Sequence, residues 1–373
     1  MNFIKLQYAL IAGAVILLAS CKKDPPVVED YAEFDNTPYS LKYTNNTLPV
    51  PNLPADNAFT IEKVKLGRML FYEKELSKDG SMACASCHLQ EDGFSDSDQF
   101  SEGVDGLFGA RQAMAVVNLA WNENGFFWDG RAELLRDQAL LPIQDHLEMN
   151  ETLENVIAKL SDYKHFGLQK LYKNQFIRAF EDGQINELNI SLALEAFMMS
   201  IVSDDSKYDR YLAGTETLTE AEERGRVLFF GEYNEFFPET SGADCAHCHS
   251  GTNFENDEYM NNGLDAEMDF TDLGRYDVTE DDADKAKFKV TSLRNIAVTA
   301  PYMHDGRFNT LEEVVNHYNT EIQSSSTLDP ALASTMGTGL MLDAGEIADL
   351  IAFLHTLTDE NYLNNPDYKD PFE

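Results

Sequence analysis

Leu66-Gly67-Arg68-Met69-Leu70-Phe71 leads into Cys84-Ala85-Ser86-Cys87-His88, and Arg224-Gly225-Arg226-Val227-Leu228-Phe229 leads into Cys245-Ala246-His247-Cys248-His249. The same order, an apolar helical stretch and then Cys-x-x-Cys-His, thus occurs twice. Two thiols at this spacing can add to the vinyl groups of one porphyrin as thioethers, and the adjoining histidine is placed to bind its iron. Redox dithiols and zinc sites also use Cys-x-x-Cys, but neither calls for a histidine directly after it in both copies. The motifs predict two molecules of haem c, held covalently through Cys84 and Cys87 and through Cys245 and Cys248, with His88 and His249 as axial ligands. His247, inside the second motif, reads as a surface residue.

The repeat extends outward. Trp128-Asp129-Gly130-Arg131 follows the first motif as His304-Asp305-Gly306-Arg307 follows the second. Apolar residues recur at helical spacing over Ile61, Val64, Leu66, Met69 and Leu70, and again from Leu153 to Leu160, Leu188 to Ile201, Leu218 to Phe229, Leu311 to Tyr318 and Ile347 to Leu357. Strand-like alternation is scarce. The expected fold is mainly α, with two tandem cytochrome c-like domains that each carry one covalently bound haem c. These span residues 55–215 and 216–373, with the boundary near Leu212 to Thr219. Trp128 and His304 occupy matched positions, so the halves are expected to do different work.

Residues 1–21 run from a short basic start at Lys5 through an apolar stretch to Leu18-Ala19-Ser20-Cys21, the pattern of a secretory signal ending in a bacterial lipobox. Cleavage before Cys21 and lipid attachment to it would anchor the chain to a membrane in the periplasm, the outer membrane being the expected one. Residues 22–54 carry Pro25, Pro26, Pro38, Pro49, Pro51 and Pro54 with no sustained apolar period, and read as a flexible tether followed by an extended arm. Four of the five cysteines lie in the haem motifs and the fifth is Cys21, which leaves none for a disulfide framework. A formal charge of -37 excludes nucleic acid as a partner and favours a basic one, such as a small electron-carrier protein.

The sixth iron position separates a haem enzyme from an electron carrier, because a carrier fills both axial sites and an enzyme leaves one open beside acid/base groups. The segment Phe127-Trp128-Asp129-Gly130-Arg131, Gln138-Ala139, Pro142-Ile143-Gln144 and Glu148-Met149 resembles the bacterial di-haem cytochrome c peroxidase family. So do Phe288-Lys289-Val290, Leu293-Arg294-Asn295 and Thr299-Ala300-Pro301-Tyr302-Met303-His304-Asp305-Gly306, and the match runs in order from Asn57 to Thr358. The resemblance implies reduction of hydrogen peroxide at the first haem, with Glu148 as acid/base and Gln138 as its hydrogen-bonding companion. Electrons from a small cytochrome c or cupredoxin would enter through the second haem and pass by Trp128. The family also implies a homodimer, and a calcium ion held by an asparagine and two backbone carbonyls. These positions match Gln112, Thr299 and Pro301.

Two departures from the family pattern stand out. A family loop that supplies a blocking histidine to the first haem corresponds to Phe100 to Arg111, which contains none. The usual distal methionine of the second haem aligns with Tyr318, which resembles the MauG branch, whose members oxidise a partner protein. Met336 in a glycine-rich loop and His317 are alternative ligands there. A di-haem carrier without catalysis is the competing reading from a different functional class.

Overall fold

Helix Ile61–Phe71 and helix Glu187–Ser200 cross so closely that a Cβ added at Gly67 would lie 1.9 Å from the Ala193 carbonyl oxygen. Helix Glu220–Phe230 meets helix Ala344–His355 in the same way, with an added Cβ at Gly225 lying 1.9 Å from Asp349 O. Phe71 packs edge-on to Phe197, with ring centroids 5.4 Å apart, and Phe229 meets Phe353 at 5.2 Å. The two glycines of the repeated sequence are therefore the points at which each helix pair touches backbone to backbone. This computed structural model describes residues 32–45, 47–161 and 168–372; the signal and Cys21 lie outside the described residues. The described residues belong to one compact unit.

Local signals explain the helix starts. Thr219 with Glu222, Thr310 with Glu313 and Asp343 with Glu346 form capping boxes, in which each side chain satisfies the other residue's backbone N–H. Helix Glu187–Ser200 is buried on all sides from Asn189 to Ser200, so its sequence lacks an amphipathic stripe. The expected helix from Leu311 to Tyr318 is α-helical only to Asn316 and continues as a π-helical turn, His317–Glu321. Helices Leu168–Ala179 and Lys207–Leu212 add to the expected set. The one sheet among the described residues is a two-stranded antiparallel pair, Tyr259–Met260 with Phe288–Lys289.

Two hydrophobic cores result. The first gathers residues from Leu48 to Val202 together with Tyr362 and Tyr368, and the second runs from Tyr208 to Leu357. The chain passes between them after Val202, and its segment beyond Asp359 returns to the first. Residues 32–45 and 47–54 lie against the first core: Tyr39 N donates to Phe59 O, Thr44 N and Asn45 N donate to the Asp204 carboxylate, and Trp121 Nε1 donates to Pro49 O.

Pseudo-equivalent asparagines join the halves. Asn118 and Asn295 both adopt the left-handed conformation ahead of a single 3₁₀ turn, with φ of 52° and 62°. Asn118 N donates to Ile201 O and Asn295 N to Leu357 O, while their side-chain amides donate to Ser203 O and Ser203 Oγ. Arg294 forms a bidentate pair with Asp209, each side chain 1% exposed.

Candidate functional site

Each Cys-x-x-Cys-His motif begins as one 3₁₀ turn, Cys84–Ser86 or Cys245–His247, which brings both cysteines and the histidine to one side. His88 Nδ1 donates to Phe94 O at 2.9 Å, and His249 Nδ1 lies 3.1 Å from both Phe254 O and Thr291 O. A carbonyl can only accept, so Nδ1 carries the proton and Nε2 is left for a metal, the arrangement that orients a ligating imidazole. Burial lowers the pKa of both rings and keeps them neutral, the form that coordinates iron. Phe94 and Phe254 both have φ of 56°, so the repeat reaches the turn that supplies the carbonyl.

Both motifs open onto a single cavity of about 1010 Å³, at the upper end of the ~300–1,000 Å³ usual for small-molecule sites. Its walls include Cys84, Cys87 and His88 at one end and Cys245, Cys248 and His249 at the other. Thiols at porphyrin spacing, an imidazole with a free Nε2 and an apolar space before them fit a haem c at each end.

Glu148 and Gln138 line this cavity near the first motif. Glu148 N donates to Asp145 O, and Glu148 O accepts from Val104 N at 2.9 Å. Burial, reinforced by the neighbouring Asp145 charge and opposed by Arg131, raises the Glu148 carboxyl to about 7. Val104 belongs to the segment without a histidine, which folds as a small hairpin: Glu102 pairs with Phe108, and Gly103 N donates to Leu107 O. A Cβ on Gly103 would sit 2.1 Å from Leu147 O, so the hairpin needs glycine to seat against the Glu148 segment. Ser101, Glu102 and Gly103 supply its share of the cavity wall.

Trp128 also lines the cavity and is fixed from two directions. Its Nε1 donates to Gln112 O at 2.8 Å, and its carbonyl accepts from Lys289 N at 2.7 Å, so one bond comes from each half. Its repeat counterpart His304 is buried and stacks on Phe288 at 3.6 Å, and its carbonyl accepts from Gln112 N. Gln112 thus links the two matched residues through its backbone. Its side-chain Nε2 donates to Ser95 Oγ and Asp96 O, a role the amide fills without a cation. Thr299 and Pro301 share the cavity wall with it. Among the described residues, no cluster of three or more acidic, histidine or cysteine side chains suits a metal ion.

At the second motif Tyr318 lines the cavity from the π-helical turn, a distortion frequently found at functional sites. Burial raises its phenol to about 12. Met336, at the end of helix Pro330–Thr335, is 42% exposed and off the cavity wall. His317 is buried but turned away, with Nε2 donating to Asn262 O at 3.0 Å. Met303, Met260 and Asn262 line the cavity here instead, and nothing in their sequence spacing marked them. Tyr362 is a further addition: its hydroxyl lies 3.0 Å from both Gly93 O and Val116 O and shares its one proton between them, bracing the loop that carries the His88 partner Phe94.

The family model for di-haem cytochrome c peroxidase matches residues 61–217. Methylamine utilization protein MauG of Methylophilus methylotrophus is 33% identical over 307 residues, covering 82% of this chain and 84% of its own length. The cytochrome c551 peroxidase of Pseudomonas aeruginosa is 30% identical over 301 residues, 79% of this chain and 78% of its own. A solved MauG-like protein associated with microbial copper homeostasis is 34% identical, with a TM-score of 0.74 over 88% of this chain and 98% of that one. The family model covers the first haem motif, and the relatives extend over most of the chain. The chain belongs to the di-haem cytochrome c peroxidase family, among whose members are cytochrome c peroxidases and MauG.

Proposed function

We propose that the protein reduces hydrogen peroxide to water beside the first haem motif, using two electrons that a small cytochrome c or cupredoxin delivers through the second. Glu148 carries this reading: a half-buried carboxyl on the wall shared with Cys84, Cys87 and His88, raised to about 7. Haem c, when bound, supplies the iron centre for peroxide and the redox capacity of the reaction. Proton handling falls to the protein. A carboxyl near 7 divides between its two forms at neutral pH, so it can take the proton from one peroxide oxygen and return it to the departing one. Two electrons and two protons then convert one peroxide into two waters. Gln138 orients the substrate by hydrogen bonding, and the doubly anchored Trp128 offers its π-system as the electron path between the halves. Tyr318 would supply an oxygen ligand to the iron of a haem bound at the second motif, and lipid on Cys21 would hold the protein to the periplasmic face of the outer membrane.

The Gly103 hairpin brings no imidazole to the first site, so this segment would leave the iron of a haem bound there unblocked in the fully oxidised protein. An EPR spectrum of the as-isolated holoprotein is expected to show one high-spin and one low-spin ferric haem. Two low-spin signals would rule the open site out.

Tyr318 on the cavity wall, together with the relatives named MauG, favours a second reading in which the oxidised site acts on a partner protein. Peroxide turnover with reduced cytochrome c separates the two readings. Sustained turnover supports the peroxidase, whereas peroxide consumption that does not oxidise the cytochrome supports the second reading.

A further inference from the structure

We propose that Met303 is a second residue able to ligate the iron of the C-terminal haem, and that Asn262 is a positioning residue that holds Met303 and Tyr318 side by side. The inference rests on the reading of Tyr318 as the resident ligand. Asn262 Nδ2 lies 3.3 Å from Met303 Sδ and 3.4 Å from Tyr318 Oη. A primary amide carries two N–H donors, so one asparagine can tether a thioether and a phenol at once. All three residues line the cavity with Cys245, Cys248 and His249.

The tether is itself held in place. His317 Nε2 donates to Asn262 O at 3.0 Å, and the buried His317 ring lies between Tyr318, at 5.1 Å, and Phe308, at 5.7 Å. The preceding Asn261 donates to Ser325 Oγ and Thr327 Oγ1. Met303 projects from an equally constrained turn. Its φ is 75°, uncommon for a residue with a side chain, Gly306 N donates to its carbonyl, and Tyr302 pairs with Phe308 across the turn. The other methionine sulfurs nearby are placed differently: Met260 Sδ lies 3.2 Å from Cys248 Sγ, beside the attachment point, and Met336 is exposed.

The two tethered groups differ in character. Phenolate oxygen is hard and favours ferric iron, whereas a thioether is soft and favours the ferrous state, raising the potential. A methionine kept beside the tyrosine gives the second iron a sulfur ligand whenever the oxygen is absent.

The experiment uses holoprotein with two haems per chain, read by absorption and EPR of the oxidised form. Tyr318→Phe is expected to keep a low-spin second haem and gain the far-red charge-transfer band of thioether-ligated ferric haem c. Tyr318→Phe combined with Met303→Leu should lose the band and turn that haem high-spin. Asn262→Leu, with Tyr318 intact, should give a mixture of the two ligation states. A high-spin second haem in Tyr318→Phe, or a band that survives the double substitution, overturns the role of Met303 and leaves the Tyr318 reading standing. An unchanged Asn262→Leu spectrum overturns the positioning role. If the unsubstituted protein already shows the band and Met303→Leu removes it, both the Tyr318 reading and the reserve role fall.

Discussion

Glu148 shows how one side chain acquires its chemistry from its surroundings. A glutamate normally titrates near 4.3, and here burial moves it to about 7. Glu148→Gln keeps the shape but removes the titratable proton. Haem content should be unchanged and peroxide turnover should fall by about 10²–10⁴-fold, the usual weight of a positioned acid/base group. In the unsubstituted protein, kcat/KM for peroxide should decline on acidification through about 7 as the carboxyl takes up its proton. The stability consequence has a definite sign. The folded chain holds this proton more tightly than the unfolded chain, so the contribution is fully present below about 4.3 and is lost as pH rises through the folded value. Thermal melts across that window should lose this part of their pH dependence in Glu148→Gln.

At the scale of elements, the two glycine crossings make a paired prediction. Alanine is about 1 kcal/mol better than glycine inside a helix, so Gly67→Ala and Gly225→Ala would stabilise isolated helices. In the folded protein the new methyl meets Ala193 O or Asp349 O, and overpacking of this kind typically costs about 1–3 kcal/mol. Both variants should melt lower, and if either melts higher, the close crossing is not a constraint. These crossings were half legible in the sequence. The repeat put both glycines in register, and the helical period found Ile61 to Leu70, but no periodicity says which helix lies across them. Helix Glu187–Ser200 was readable as an apolar stretch, although burial on every side removed the stripe that would have oriented it. The π-helical turn at Tyr318 was not readable, because His317 and Tyr318 continue a helical pattern and only their contacts with Asn262 and Phe308 distort it. The haem-binding pattern was legible because Cys-x-x-Cys-His is local chemistry. Asn262, Met303 and Tyr362 act across long separations, and their sequence neighbours say nothing of it.

For the whole molecule, a charge of -37 implies long-range attraction of a basic donor. With a cationic cytochrome c as donor, kcat/KM should fall as ionic strength rises, since exposed charges are screened over about 8–10 Å at 0.1–0.15 M salt. A rate independent of salt would mean that docking is governed by apolar contact. The division into two cytochrome halves describes the haems better than it describes the packing. Arg111 in the first half pairs with Asp129 and with Asp272 of the second, Lys289 N anchors Trp128, and the segment beyond Asp359 packs on the first core. That last feature bears on how the protein is made. The loop behind His88 is braced by Tyr362, 269 positions after Gly93 and 246 after Val116. During synthesis the first motif leaves the ribosome long before its brace does, whereas the second has most of its partners close behind it. Maturation should therefore run against the order of the chain, with the second motif's pocket reaching its final form first and the first motif's pocket last.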